Sequence, residues 1–416
     1  MTLGGMAFRY LFARRTVAFL TVFSLMLGVA LPCMILLLRE QAESSLLRDG
    51  TGIDMVVGAK GSPLQLVLSV VHHLDLPTGN IPYAYYEQLK GDRRIRNAVP
   101  VALGDNVAGF RIVGTTTDFL HWRPRSQEGT AGSLLEQGSP DLNQPFGAVL
   151  GSEVARLSGL TLGDQFVGAH GLRAVPGTSH SDFPYQVTGS LKEQGTVVDR
   201  LVLTSLKSVW QVHAADEEKH RTLYGVGENV ERAPEVTAVL LELRNPGLRM
   251  WLREEINRTT GAMAAVPVDE LHRLYQRVLR PAQMGMLWIS GAVALVSMMA
   301  ILATLLQSAE RRRKDWAVLR ALGARPKDIF SLVWLESLWI STIGVVFGVI
   351  LAHGIPILIK MSSSAAFLTG FSPWKFAEYE LMVIGAVWLG ATLFGLVPAL
   401  VSYRRSPLED LSREQQ

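Results

Sequence analysis

Imidazole and carboxylate groups are concentrated in one short segment of this sequence. The run His213-Ala-Ala-Asp-Glu-Glu-Lys-His220 brings two imidazoles and three carboxylates together. Such groups are suitable ligands for Zn²⁺ and similar ions. However, the spacing matches no recognised zinc pattern, and the two histidines of a straight helix would lie two turns apart. Two interpretations therefore stay open: solvated loop histidines, or a zinc site formed by a subset of His170, His180, His213 and His220.

Other kinds of reactive site are poorly represented. The sequence contains no phosphate-binding loop of the form Gly-x-x-x-x-Gly-Lys-Ser/Thr, and Asp164 follows the nearest glycine pair, Gly159 and Gly163. Cys33 is the only cysteine, so no intrachain disulfide is possible. Pro32 precedes it where a lipidation site requires a small residue, which favours a buried helix cysteine. A net charge of +3 gives no general attraction for nucleic acid.

Four long apolar runs indicate a membrane protein. A membrane-crossing helix needs about 20 apolar residues. The first run is longer than the apolar part of a signal peptide, which has about 7–15 residues, and we interpret it as a retained helix. Glu336 interrupts the third run, so it is expected to face the protein interior or to lie near the cytoplasmic interface. The runs are 17–38, 286–306, 329–359 and 381–400.

Basic residues flank these runs unequally. They precede the first run, fill the connection between the second and third, and follow the fourth, whereas the last connection has only Lys360 and Lys375. Basic residues concentrate on the cytoplasmic side of a membrane. Both termini are therefore predicted to be cytoplasmic, and residues 39–285 to be extracytoplasmic. Segment 3–15 is either an amphipathic interfacial helix or a simple basic anchor.

The connection 310–328 has a helical pattern with a defined end. Trp316, Leu319 and Leu322 recur at helical spacing. Gly323 can end such a helix in a left-handed cap, and Pro326 can begin the next one. A short amphipathic helix beside a membrane can place its apolar residues in the groove of a soluble partner, with arginines around it.

This connection resembles the coupling segment of the MacB/FtsX-type permeases, also called type VII ABC transporters. The likeness rests on a Glu- and Arg-rich run followed by Leu-Arg-Ala-Leu-Gly-Ala, between residues 310 and 324. It continues in Leu335-Glu-Ser337, in Gly344-x-x-x-Gly348 and in the closing segment 398–411. A weaker likeness to the periplasmic core of the same family extends in patches over 39–285.

The resemblance implies a membrane α-helical fold with four transmembrane helices. A large α+β extracytoplasmic, MacB-like periplasmic domain would be inserted between the first and second helices. The implied parts are 1–38 for the interfacial segment and first helix, 39–285 for the α+β domain with its stalk, and 286–416 for the FtsX-like permease domain. Gly344 and Gly348 would form a small-residue seam for helix packing. The implied ATPase-coupling residues are Arg313, Trp316, Leu319, Arg320, Leu322, Gly323 and Pro326.

The same resemblance implies the function and the partners. ATP and Mg would bind a separate cytoplasmic ATPase, present in two copies, so this chain is expected to be no enzyme and to hold no cofactor itself except possible Zn. A second permease copy or a paralogue, an extracytoplasmic protein and membrane lipid are the other expected partners. The system would export or extract a lipoprotein, a peptide, a small molecule or a metal-linked cargo at a bacterial inner membrane. The alternative is a non-transporting, FtsX-like regulator.

The pattern within 39–285 predicts a mixed α+β domain. The resemblance to the family's periplasmic core implies a split domain, with one half built from both ends of the segment and a smaller insert near 115–235. Residues 266–283 would form a helical stalk. Strands are expected at 53–57, 110–113, 147–150, 185–188, 201–203 and 238–243. Helices are expected at 81–90, 152–158 and 246–259.

Overall fold

The computed structural model describes residues 3–13, 15–122, 134–139, 142–170, 182–224, 233–362, 372 and 374–404. Within these ranges the chain forms two compact units. One consists chiefly of Ala42–Arg277, and the other of the residues before and after it, up to Gln41 and from Val278 onward. The first unit is a sheet with helices, and the second is helical.

The sheet of the α+β unit has eleven strands in the described part of the chain, in the path order β13-β1-β12-β3-β4-β10-β6-β9-β5, with β7 paired to β9 and β8 to β3. The pairs β4–β10 and β6–β9 are parallel, and the other pairs are antiparallel. A separate pair joins β2 to β11. The strands are β1 Met55–Ala59, β2 Ile81–Pro82, β3 Ile95–Val107, β4 Phe110–Thr115, β5 Leu135–Gly138, β6 Gly147–Leu150, β7 Gln165–Phe166, β8 Ala169–His170, β9 Tyr185–Leu191, β10 Leu201–Ser205, β11 Glu235–Val236, β12 Ala238–Leu243 and β13 Ala262–Ala265.

Apolar residues cover both faces of this sheet. Along β1, Val56 belongs to one buried cluster, whereas Met55 and Val57 belong to the other. Strand side chains alternate between faces, so a strand buried on both sides must be apolar throughout. The helices that cover it are α3 Pro63–Val70, α4 Tyr83–Lys90, α5 Asp118–Trp122, α6 Ser152–Ser158, α7 Leu206–Tyr224, α8 Arg249–Thr259 and α9 Pro267–Leu274.

The long strand β3 joins two parts of the sheet. Its first half pairs with β12, and its second half pairs with β4. Strands β1, β12 and β13 come from the two ends of the segment, whereas β4, β6, β9 and β10 come from its middle. Strands from the ends of the segment and strands from its middle therefore form two parts of one sheet, whereas the insert near 115–235 stays a prediction. Several elements were not expected, and the largest are β3 and α7, which contains residues 213 and 220.

The helical unit contains helices that are long and apolar enough to cross a membrane. Four such candidates occur among the described residues. The first candidate lies in α2 and the second in the helical stretch Pro267–Arg311, which includes a π-helical turn at Tyr275–Leu279. The helices are α1 Leu3–Ala13, α2 Arg15–Gly50, α10 Arg280–Arg311, α11 Arg313–Ala321, α12 Pro326–Ser362 and α13 Glu380–Arg404.

Small residues allow these helices to approach closely. A Cβ atom added at Gly344 would lie 2.9 Å from Leu25 of α2, and one at Gly348 would lie 2.7 Å from Val29. The seam expected from the sequence is thus packed against α2. Gly395 of α13 comes even closer to α12, since an added Cβ would lie 2.3 Å from the Cβ of Ser337. A larger side chain at these three positions requires the helices to separate.

Candidate functional site

The helix α11 begins and ends at defined breaks in the chain. Arg312, with φ −97° and ψ 13°, interrupts the helical path between α10 and α11. Gly323 has φ +101°, a left-handed conformation that favours glycine. The backbone N–H of Arg325 donates to the Asp328 carboxylate, which closes the first turn of α12. The predicted helix, turn and restart at Pro326 are therefore present.

One face of α11 is packed against the membrane helices. Trp316 is only 6% exposed and belongs to a buried cluster with Ala309 of α10, Ile329 and Val333 of α12 and Ala399 of α13. Leu319 packs against the same cluster. The sequence pattern predicted that Trp316 and Leu319 would enter a groove of the partner. In the structure both side chains pack against the permease's own helices. These two residues therefore hold α11 in place.

The opposite face of α11 carries exposed apolar groups. Val318 is 58% exposed, and Leu322, the residue after the helix, is 80% exposed. The N–H of Leu322 still donates to the carbonyl of Val318, so Leu322 is held by the last turn. Two exposed aliphatic side chains on a helix whose other face is buried form an apolar surface of the kind that soluble partners bind. We call Val318 and Leu322 the outer pair.

The arginines of the segment have separate contacts. Arg313 forms an ion pair with Glu310, one turn earlier. Arg320 donates weakly, at 3.5 Å, to the carbonyl oxygen of Tyr403 at the end of α13. Arg325 is exposed. The predicted coupling arginines therefore tie α11 to its neighbours through side-chain contacts.

A buried ion pair joins the break at Arg312 to α12. The guanidinium nitrogens of Arg312 donate to both carboxylate oxygens of Glu336, at 2.9 and 3.2 Å. The two side chains are only 6% and 9% exposed. A bidentate Arg–carboxylate pair fixes geometry as well as charge. Of the two positions that the sequence allows for Glu336, the structure therefore shows the interior one, with Arg312 as a partner that was not foreseen.

Of the four candidate zinc histidines, three lie in described elements: His170 on β8, whose residue 170 pairs with Asp105 of β3, and His213 and His220 on α7. His213 and His220 both lie on α7, two turns apart, so they belong to a helix rather than to a loop. The His213 ring packs against Gly104 of β3, where an added Cβ would lie 2.5 Å from Nε2. His170 ends β8, and His180 lies outside the described residues. Among the described residues, no group of three or more His, Cys, Asp or Glu side chains is arranged to hold a metal ion.

Two features of the site escaped the sequence pattern. Val318 was not singled out because periodicity alone does not say which stripe of a short helix is buried. The Arg312–Glu336 pair joins residues 24 positions apart. Its only sequence signal was an acidic residue inside an apolar run beside an arginine cluster.

Both parts of the chain are similar to known protein families. A family model for the MacB-like periplasmic core domain matches residues 18–244, and one for the FtsX-like permease C-terminal region matches residues 287–407. The macrolide export ATP-binding/permease protein MacB of Bordetella avium is 29% identical over 130 residues, which are 29% of this chain and 19% of that protein. The ABC transporter permease YtrF of Bacillus subtilis is 24% identical over 142 residues, 32% of this chain and 33% of that protein.

A solved structure is also similar. The periplasmic region of MacB from Actinobacillus actinomycetemcomitans has 12% identity and a TM-score of 0.34, and the match covers 56% of this chain and 98% of that one. The aligned part of the chain spans a third or less of the two relatives above.

The two family models together account for the arrangement described. The periplasmic core model alone covers more than half of the 416 residues. The FtsX-like model begins in α10 and includes the outer pair, the Arg312–Glu336 pair and α13. The apolar helices and the sheet-rich α+β unit fit an ABC permease with a periplasmic domain. The chain therefore belongs to the MacB/FtsX-type permeases of ABC systems.

Proposed function

We propose that this chain is the permease subunit of an ATP-driven system whose ATPase is a separate cytoplasmic protein. The ATPase docks on the outer pair of α11, and ATP-driven motion passes through the permease helices to the α+β domain. That domain then drives export or extraction of a lipoprotein, a peptide, a small molecule or a metal-linked cargo. The chain itself hydrolyses no ATP.

The observation that carries this proposal is the two-sided character of α11. Its inner face, with Trp316, packs against three membrane helices, and its outer face exposes Leu322. A docked partner that pushes on Leu322 therefore pushes on α10, α12 and α13 together. The assignment of ATP hydrolysis to a separate ATPase is supported by the sequence, which contains no phosphate-binding loop.

Reconstitution tests this proposal. The chain is co-expressed with candidate ABC ATPases from the same genome, purified through a tag on the permease and placed in lipid nanodiscs. We expect the ATPase to co-purify and the permease alone to show no ATP hydrolysis. ATP hydrolysis by the purified permease alone would contradict the assignment of that activity to another chain.

We propose further that the four apolar helices all cross the membrane, that 39–285 is inserted between the first and second, and that both termini are cytoplasmic. Tags at Gln416 and within 311–314 are expected to be reached by protease only after the cells are lysed. A tag at Gln127 is expected to be cleaved in intact spheroplasts. Protection of the Gln127 tag in spheroplasts would refute this topology.

Zinc binding in the outer domain is a separate proposal, through a subset of His170, His180, His213 and His220. Its support is the ligand chemistry of imidazole. Residues 213 and 220 lie on one helix, and one of them would bind the ion together with His170 or His180. Histidine must be neutral to bind metal, so the affinity is expected to fall as the pH drops through about 6.5. Calorimetric titration of the full chain with zinc should show a loss of affinity in His213→Ala but not in His121→Ala. Absence of heat at micromolar zinc would exclude the site.

A further inference from the structure

A cavity of about 200 Å³ lies within the α+β unit. Four parts of the chain surround it: the end of α2, the turn after α3, the β3–β4 hairpin and the segment that leads into β10. Ala108 and Gly109, both with positive φ, make the tight turn of the hairpin and bring Phe110 and Arg111 to the cavity. Much of the wall is apolar, formed by Leu46, Leu74, Phe110, Val197 and Leu201.

Two guanidinium groups line this apolar cavity. Arg200 is 13% exposed, and its Nε forms an ion pair with Glu153 at 3.7 Å, which is too long for a hydrogen bond. Neither Nε nor Nη1 has a hydrogen-bond partner among the described residues. Arg111 donates to the carbonyl oxygens of Ser69 and Asp75 at 3.3 and 3.0 Å. Burial lowers the pKa of both groups, but arginine remains charged in proteins.

A buried histidine adds a third polar group to the wall. His72 is 2% exposed, and its Nδ1 lies 3.5 Å from the Asp49 carboxylate at the end of α2. The other oxygen of that carboxylate accepts from the N–H of Val197 at 2.8 Å. His72 Nε2 has no hydrogen-bond partner among the described residues. Asp49 is the one carboxylate among the described residues that line the cavity, and both of its oxygens already have contacts.

We propose that this cavity binds a carboxylate attached to a small apolar group. Buried guanidinium nitrogens are costly without hydrogen-bond partners, and a carboxylate can accept two hydrogen bonds from a guanidinium. The unpartnered nitrogens of Arg200 are the donors, and the aliphatic and Phe110 side chains receive the apolar group. His72 Nε2 adds a donor when both ring nitrogens carry a proton. Asp49 and Glu153 are already engaged by His72, Val197 and Arg200, so the unpartnered donors of the cavity favour an anion over a cation.

Two sources present this chemistry: the C-terminal residue of a peptide and a free fatty acid. N-acetyl-leucine represents the first, and octanoate represents the second. Each has a neutral counterpart of nearly equal size, N-acetyl-leucinamide and octanamide. The pairs therefore separate the contribution of the charge from that of the apolar group.

Calorimetric titration of the full chain in nanodiscs, with empty nanodiscs subtracted, tests the proposal. We expect one of the two acids to bind once per chain. Its amide should bind with an affinity at least about tenfold lower, since charge-assisted hydrogen bonds are lost. Arg200→Met is expected to weaken the same acid by a similar factor. Arg156→Met is the matched control, because Arg156 is exposed on the same domain, and it should leave binding unchanged.

Three results would overturn this site. They are no binding of either acid at millimolar concentration, equal binding of the acid and its amide, and equal binding by wild type and a folded Arg200→Met. The comparison of acid with amide uses wild-type protein only. It therefore decides the question even where Arg200→Met fails to fold.

Discussion

Leu322→Asp is expected to uncouple the permease from its ATPase. Leu322 is 80% exposed, so the substitution costs the folded permease little. In the docked complex, the same carboxylate would be buried in an apolar groove. Loss of one central apolar anchor costs about 2 kcal/mol of binding free energy, or more than tenfold in affinity. We expect the ATPase to be lost on co-purification and its stimulation by the permease to disappear.

The control for this variant is an equally polar change elsewhere on the surface. Leu157 is also exposed, but it lies on α6 of the α+β unit. Leu157→Asp should leave co-purification and ATPase stimulation unchanged. Leu319→Asp is unsuitable, because Leu319 packs against the Trp316 cluster and its replacement would destabilise α11. Full coupling in Leu322→Asp would show that the ATPase docks somewhere else.

Glu336→Gln is expected to cause a large loss of stability in the helical unit. It removes the negative charge of Glu336 from its bidentate contact with the buried Arg312 guanidinium. Removal of one partner of a buried ion pair costs about 3–5 kcal/mol. Thermal unfolding of the purified protein measures this loss. Glu310→Gln is the matched control, since the Glu310–Arg313 pair is more exposed and its loss should cost about 1 kcal/mol or less.

A double substitution separates the ion pair from general disruption. Arg312→Met combined with Glu336→Leu removes both charges, so neither remains buried alone. We expect the double variant to be more stable than either single variant. The double variant could instead lose as much stability as the two single variants together. The contact between Arg312 and Glu336 would then contribute no interaction energy.

The sequence predicted those features that depend on local composition. Apolar runs located the four candidate spans, and the strand Ala238–Leu243 and the helix Ser152–Ser158 have the predicted bounds. Gly323 and Pro326 determine the turn after α11 through their own backbone preferences. Each of these features follows from a few neighbouring residues.

Features that depend on distant contacts were not predictable. The strand β3 contains Pro100 and Gly104, which weaken a strand pattern, and it is held by pairing with β12 and β4. The inward orientation of Trp316 depends on α10, α12 and α13. The cavity of Arg200 and His72 joins four segments of the chain that are remote in sequence.

The central claim is that this permease works with a separate ATPase, and native mass spectrometry of the co-expressed complex tests it most directly. ABC ATPases act as facing pairs, and each coupling helix serves one of them, so we expect two permease chains with two ATPase chains. Two identical permeases would meet through the same surface on each copy; a paralogue in the second place would appear as a different mass. A complex of one permease with two ATPase chains, or a permease that never binds an ATPase, would contradict the account.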